Sequence, residues 1–172
     1  MIMKKVVFLF TAILCFITQQ SFSIDKKKPT GTKTVPITNI SKMIINTDVI
    51  VVLRNQPSDN ITLEGSQDLL GQVSVEQQGE TVVIGAPKKA NPKNKVVVYV
   101  PAPGLRSIEI NSSAKLLSHW IIDNPSLSIL VNGNCHVNIK STGFVNVVEN
   151  DAYEMEYYVN QIQLTPIVGG DR

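Results

Sequence analysis

Ile129-Leu130-Val131-Asn132-Gly133-Asn134-Cys135-His136-Val137-Asn138-Ile139-Lys140 decides the fold. Ile129, Val131, Gly133, Cys135, Val137 and Ile139 are apolar or small. Apart from Leu130, the residues between them are polar: Asn132, Asn134, His136, Asn138 and Lys140. Side chains alternate across an extended chain, so this pattern puts one face on a core and the other in water. Ile108, Ile110, Ser112, Ala114 and Leu116 repeat it, opposite Glu109, Asn111, Ser113 and Lys115.

Working outward, the stretch has relatives within the chain. Ile110-Asn111-Ser112-Ser113-Ala114-Lys115-Leu116 aligns with Val131-Asn132-Gly133-Asn134-Cys135-His136-Val137 at an offset of 21. Val148-Glu149-Asn150-Asp151-Ala152-Tyr153 follows at an offset of 17, and Ile45-Asn46-Thr47-Asp48-Val49-Ile50-Val51 precedes the first copy by 65. A unit of about 20 residues made of strands and tight turns cannot bury its own apolar face, whereas stacked units can. The expected fold is therefore all-β: a right-handed parallel β-helix-like β-solenoid, with some antiparallel hairpin strands in the N-terminal half. Chance similarity among the strands of a β-sandwich is the competing reading. Asn46, Asn111 and Asn132 share one repeat position, which predicts a ladder of stacked asparagines rather than a ligand site.

The composition agrees. The 172 residues include 21 valines and 19 isoleucines against 12 leucines, and β-branched side chains suit a pleated sheet better than a helix. Short β-branched runs fall at residues 43–53, 61–63, 73–76, 81–84 and 95–100. Gln77-Gln78-Gly79-Glu80 reads as a hairpin turn and residues 87–95 as a loop. One short helical turn is expected near residues 67–70.

Lys4 and Lys5, the apolar run 6–17 and Ser21-Phe22-Ser23 read as a secretory signal cut after Ser23. The run is shorter than the roughly 20 apolar residues a transmembrane helix needs. Cys15 raises a lipoprotein reading, but bulky Leu14 stands where such signals want a small residue. Residues 24–36, rich in Lys, Thr, Pro and Gly, read as a flexible linker. Residues 37–160 read as the folded domain and 161–172 as a C-terminal tail.

Without residues 1–23 the chain carries 14 basic and 14 acidic residues. That balance leaves no cationic stripe for nucleic acid, whose binding rests on neutralising phosphates. Cys135 would then be the sole cysteine, with no intrachain disulfide to form.

Chemistry is sparse. Cys135 and His136 are adjacent, so on a strand they face opposite ways and cannot form a thiolate–imidazolium pair. Cys135 occupies the inward slot that Val49, Ala114 and Ala152 fill in the other copies, as expected of a buried structural thiol. No Cys/His metal spacing, nucleophile elbow or phosphate-binding loop is present. Neither a cofactor nor a metal nor a catalytic residue is expected. Glu149 and Asp151 would share a strand face, a spacing that could serve glycosidic acid/base chemistry or Ca²⁺ binding; a solvated, charge-rich turn explains them equally well. Trp120, Tyr153, Tyr157 and Tyr158 are the candidate contacts for a glycan or partner, the alternative being aromatics that cap the core.

These segments resemble the putative auto-transporter adhesin head GIN domain family. The resemblance rests on Ile37-Thr38-Asn39-Ile40-Ser41-Lys42-Met43-Ile44-Ile45 and Asp48-Val49-Ile50-Val51-Val52-Leu53. It continues through Ile61-Thr62-Leu63-Glu64-Gly65, Leu69-Leu70-Gly71-Gln72-Val73, residues 96–100, Pro103-Gly104-Leu105-Arg106-Ser107-Ile108-Glu109-Ile110 and the repeats. It spans roughly residues 35–155 as a string of weak motifs in order. Where the family's repeats carry Gly-Ser-Gly-rich turns, Asn111-Ser112-Ser113 and Asn132-Gly133-Asn134 stand here, and the pattern fades after Tyr158. The resemblance implies a parallel β-helix-like fold and a cell-envelope setting in Bacteroidetes-type bacteria, and brings no catalytic residues.

The function expected is a non-enzymatic secreted or cell-envelope protein, adhesin-like, that binds a cell-surface glycan or another envelope protein and is able to self-associate. The alternative is a carbohydrate-active lyase or hydrolase on a β-helix scaffold. The setting expected is the periplasm, the outer-membrane surface or the medium.

Overall fold

The computed structural model describes residues 30–86, 96–150 and 156–161. Its strands are β1 (Thr30–Pro36), β2 (Lys42–Ile45), β3 (Ile50–Arg54), β4 (Asn60–Ser66), β5 (Ser74–Gln78), β6 (Thr81–Gly85) and β7 (Val97–Pro101). They continue with β8 (Ser107–Ile110), β9 (Lys115–Ser118), β10 (Ser126–Val131), β11 (His136–Ser141), β12 (Phe144–Glu149) and β13 (Glu156–Gln161). Among the described residues the only helix is α1 (Gln67–Leu70), one turn where a helical turn was expected. The signal segment 1–23, the first part of the supposed linker, the loop 87–95 and most of the C-terminal tail lie outside the described residues.

The fold is all-β, with two mixed sheets. One has seven strands in the order β1-β4-β7-β3-β9-β11-β13; the other has six, β12-β10-β8-β2-β6-β5. From β8 onward the chain alternates between them, and each strand pairs in parallel with the strand two places on. Residues 106–116 and 129–139, the two best-matched copies, thus run the same way. Among the described residues antiparallel pairing is confined to β1–β4, β4–β7 and β5–β6, all of which precede β8.

The deciding stretch is not one strand. Residues 129–131 close β10 in the six-stranded sheet and residues 136–140 belong to β11 in the seven-stranded one. The alternation nevertheless survives the corner, because Ile129, Val131, Gly133, Cys135, Val137 and Ile139 are all buried. Period-two patterning reports an extended chain with one side on the core, and a corner that keeps that side inward preserves the period. Residues 43–53 divide in the same way into β2 and β3. The inner faces of both sheets share a single core, in which Met43, Ile45, Val51, Ile108, Ile110, Leu116, Ile129, Val137 and Ile139 are fully buried. Each such side chain contributes about 1.5–3 kcal/mol of apolar burial.

The corners stack as closely as the strands. Ser112 Oγ donates to the Thr47 carbonyl at 2.9 Å, and the Ser113 N–H donates to Asp48 Oδ1 at 2.9 Å. A Cβ on Gly133 would lie 2.8 Å from both N and O of Ser112, so this rung admits no side chain. On the solvent side the expected ladder is present: Asn111 Nδ2 donates to Asn46 Oδ1 at 2.9 Å and Asn132 Nδ2 to Asn111 Oδ1 at 2.7 Å. Glu109 joins it by accepting from Asn111 Nδ2 at 3.2 Å and from Lys42 Nζ at 3.1 Å. The hydrogen bonds from Lys42 and then Asn111 hold the Glu109 carboxyl below its usual range. Asn111→Ala, which removes the middle rung, is expected to cost about 1–2 kcal/mol. Urea unfolding checks this, and an unchanged midpoint would show that the ladder is incidental.

Two expectations need correction. Thr30–Pro36, assigned by composition to a flexible linker, forms β1, paired antiparallel with β4 from Thr30↔Ser66 to Pro36↔Asn60. Thr30, Thr32 and Thr34, with Val35, supply strand propensity that the prolines and lysines of the neighbouring sequence obscure. Residue 30 also lies outside the 37–160 span read as folded. Second, the last repeat is shifted by one residue: Val131 pairs with Glu149, not Val148. Only Thr142 and Gly143 separate β11 from β12, shortening the offset to 18, and a one-residue slip exchanges the faces. Val148 is accordingly 45% exposed and Val145 buried. The corrected register brings Asn150 to the level of Asn132. Its N–H donates to the Val131 carbonyl at 3.0 Å, as Asn132 N–H does to Ile110 and Asn111 N–H to Ile45, both at 2.8 Å.

Candidate functional site

A depression of about 550 Å³ opens on the outer side of the seven-stranded sheet, lined by Val52, Leu53, Arg54, Asn55, Gln56, Tyr99, His119 and Trp120. Strand pairing assembles it. Val52 of β3 faces Tyr99 of β7 on one side and Leu117 of β9 on the other. Outward positions in neighbouring strands line up in rows, and Val52 and Tyr99 of this row lie in the lining. Val52 is buried yet stands apart from the core cluster. It is covered from the outside.

Arg54 ends β3, and its guanidinium carbon sits 3.7 Å from the centroid of the Tyr99 ring, a cation–π stack. The Tyr99 hydroxyl donates to Glu64 Oε2 at 3.0 Å, which anchors the ring from β4. Burial pushes the Tyr99 phenol above its ordinary value, and the hydrogen bond to Glu64 and its charge act the same way; Arg54 opposes them. The far wall follows β9. There Asn55 Oδ1 accepts from the Asp123 N–H at 2.9 Å, and Asp123 Oδ1 accepts from Thr142 Oγ1 at 3.0 Å. The loop carrying His119 and Trp120 is thus tied to β3 on one side and to the β11–β12 turn on the other. Trp120 is 77% exposed.

Of the four aromatics singled out from sequence, Trp120 lines this depression and does not cap the core. Tyr157 and Tyr158 lie on β13, level with Val137 and Asn138 of β11. Two strand spacings, about 10 Å, separate β13 from β9, the strand that leads into the Trp120 loop. Tyr153 falls outside the described residues. Sequence reading missed Arg54 and Tyr99. A signal existed for Tyr99, a lone aromatic at an outward position in an otherwise aliphatic run; Arg54 had none before its strand partner was known.

Elsewhere the chemistry is thin. Cys135 is buried, and burial first, then the charge of Glu149, raises its thiol above the usual value. Such a thiol is a poor nucleophile. Glu149 is exposed at the end of β12, while Asp151, proposed to act with it, lies outside the described residues. Among the described residues, no three His, Cys, Asp or Glu side chains gather closely enough to hold a metal ion. No helix among them is long and apolar enough to cross a membrane.

Solved structures share this fold. A putative adhesin from Parabacteroides distasonis ATCC 8503 superposes with a TM-score of 0.63 at 14% identity, covering 77% of this chain and 57% of its own. A putative adhesin from Parabacteroides merdae ATCC 43184 gives 0.58 at 18% identity with the same coverage. A third, from Bacteroides fragilis NCTC 9343, gives 0.53 at 16%, covering 70% of this chain and 62% of that one. The chain therefore spans less than two thirds of the length of these relatives. No curated protein matches its sequence. The sequence model of one family does match, over residues 39–155, and the chain belongs to that family: putative auto-transporter adhesin, head GIN domain.

Proposed function

We propose that the chain is an exported, non-enzymatic binding module that takes a cell-surface glycan in the depression walled by Arg54, Tyr99 and Trp120. The observation that carries this reading is the exposure of Trp120, 77%, on the rim of a concave and otherwise braced surface. A large indole left in water costs free energy unless something covers it, and aromatic rings beside hydrogen-bonding side chains suit the apolar faces and hydroxyls of sugars. The description of the family and of the similar structures as adhesins supports the same class of function. The signal-like N-terminus supports export.

The scaffold fits the role. Strands alternating between two sheets, with parallel register from one unit to the next, support reading residues 107–161 as coils of a right-handed parallel β-helix-like stack. Such stacks present rigid flat faces. The carbohydrate-active enzyme alternative gains no support, since catalysis needs converging ionisable groups and the depression holds Arg54 and His119 without a lining carboxylate.

A glycan array probed with the domain tests the proposal. Trp120→Ala is expected to weaken binding at least tenfold, while the thermal midpoint stays within about 1–2 °C because an exposed side chain contributes little to stability. Failure of the unaltered domain to retain any glycan would rule the proposal out.

A further inference from the structure

We infer that the sugar bound in this depression carries a carboxylate, an inference that rests on the proposed function. Arg54 is exposed, and among the described residues no carboxylate pairs with it. Glu64, two strands away on β4, is engaged by the Tyr99 hydroxyl. A guanidinium stacked on a ring through its face keeps in-plane N–H donors for a partner at its edge, in the fork geometry that matches a carboxylate. The stack also fixes the side chain before any ligand arrives, so less rotamer freedom is lost on binding. Glu64 keeps its charge but does not line the depression, where Arg54 is the one permanently charged lining residue.

The remaining groups suit the rest of such a ligand. Trp120 offers a face for a pyranose ring, and Gln56 and His119 offer hydrogen bonds to hydroxyls. The volume, about 550 Å³, lies within the range of small-molecule sites, about 300–1,000 Å³. One arginine, with no lysine beside it, fits a single planar anion better than the dense charge of a phosphorylated or polysulfated chain.

The test compares matched probes that differ only in the acid. Trigalacturonate is set against its methyl ester, and sialyllactose against lactose, in calorimetric titrations of the domain. The acidic member of at least one pair is expected to bind at least tenfold more tightly. Arg54→Gln should abolish that preference, so that the two members of the pair bind with equal affinity, and Arg54→Lys should restore only part of it. Trp120→Ala should weaken both members. Circular dichroism melts establish that each variant is folded. Equal affinity within both pairs, or an undiminished acid preference in Arg54→Gln, overturns the inference and leaves the proposed function standing. If neither pair binds while the array shows neutral glycans only, the inference fails alone. An empty array removes both.

Discussion

Gly143→Ala is expected to lower the stability of the domain by about 3 kcal/mol, at the upper end of what overpacking usually costs. Gly143 forms half of the two-residue turn between β11 and β12. A Cβ there would run into the carbonyl of Asn124 and would sit 2.6 Å from the Pro125 carbonyl oxygen. That backbone cannot withdraw easily. Asn124 is buried, its side-chain nitrogen donates to the carbonyls of Leu105 and Ala102, and its oxygen accepts from the Ser126 N–H at 3.2 Å. Moving it also breaks the bond from the Phe144 N–H to the Pro125 carbonyl, 3.1 Å, which starts the β10–β12 ladder. Gly79 supplies the contrast. It sits at φ +60 in the β5–β6 turn, where a Cβ would meet nothing within 4 Å, so Gly79→Ala should cost only the left-handed backbone penalty of about 1–2 kcal/mol. Urea unfolding of both variants distinguishes steric from conformational demand. Equal midpoints would refute the close-packed turn.

Ile110→Ala is expected to cost about 3–4 kcal/mol, within the range for truncating a buried isoleucine. Ile110 is fully buried in β8, between Ile45 of β2 and Val131 of β10. Its removal leaves a void that strands bonded on both sides cannot close by moving together. The predicted loss is a large share of a typical total stability of about 5–15 kcal/mol. Phe144→Ala deletes a larger side chain that is 62% exposed on an edge strand and should change stability by no more than about 0.5 kcal/mol. If the two variants unfold at the same urea concentration, the core assignment is wrong.

Much of this fold was legible in the sequence because burial has one period. From Ile129 to Ile139 the inward positions follow from alternation alone, even across a corner that alternation could not reveal. The asparagine ladder was legible for the same reason, since a repeated residue at one repeat position stacks on itself once units align. The final register was not. Val147-Val148 offers two adjacent valines to one inward slot, and only the length of the turn decides between them. β1 stayed hidden because its partner, β4, lies 30 residues ahead and its own composition is that of a linker. The site was the least legible part. Arg54 and Tyr99 are 45 positions apart, and no local pattern says that β3 and β7 are neighbours. Trp120 could be marked as an aromatic worth watching, but its surroundings come entirely from that long-range pairing.

Chain order and spatial order also disagree in one place, and this bears on how the molecule forms. The unit made by β2 and β3 lies between the later unit β6 and β7 and the still later β8 and β9. As the polypeptide emerges from its N-terminus, residues 42–54 therefore have no native neighbour until residue 85 for one sheet and residue 101 for the other. Their second neighbours arrive only with residues 107–118. Loop closure over such separations makes nucleation slow, and the waiting strands, Ile-rich and Val-rich, are the kind that pair with the wrong chain. A permuted chain that begins at β4 and carries residues 30–54 between β7 and β8 would match synthesis to position. It should refold faster and aggregate less at equal stability.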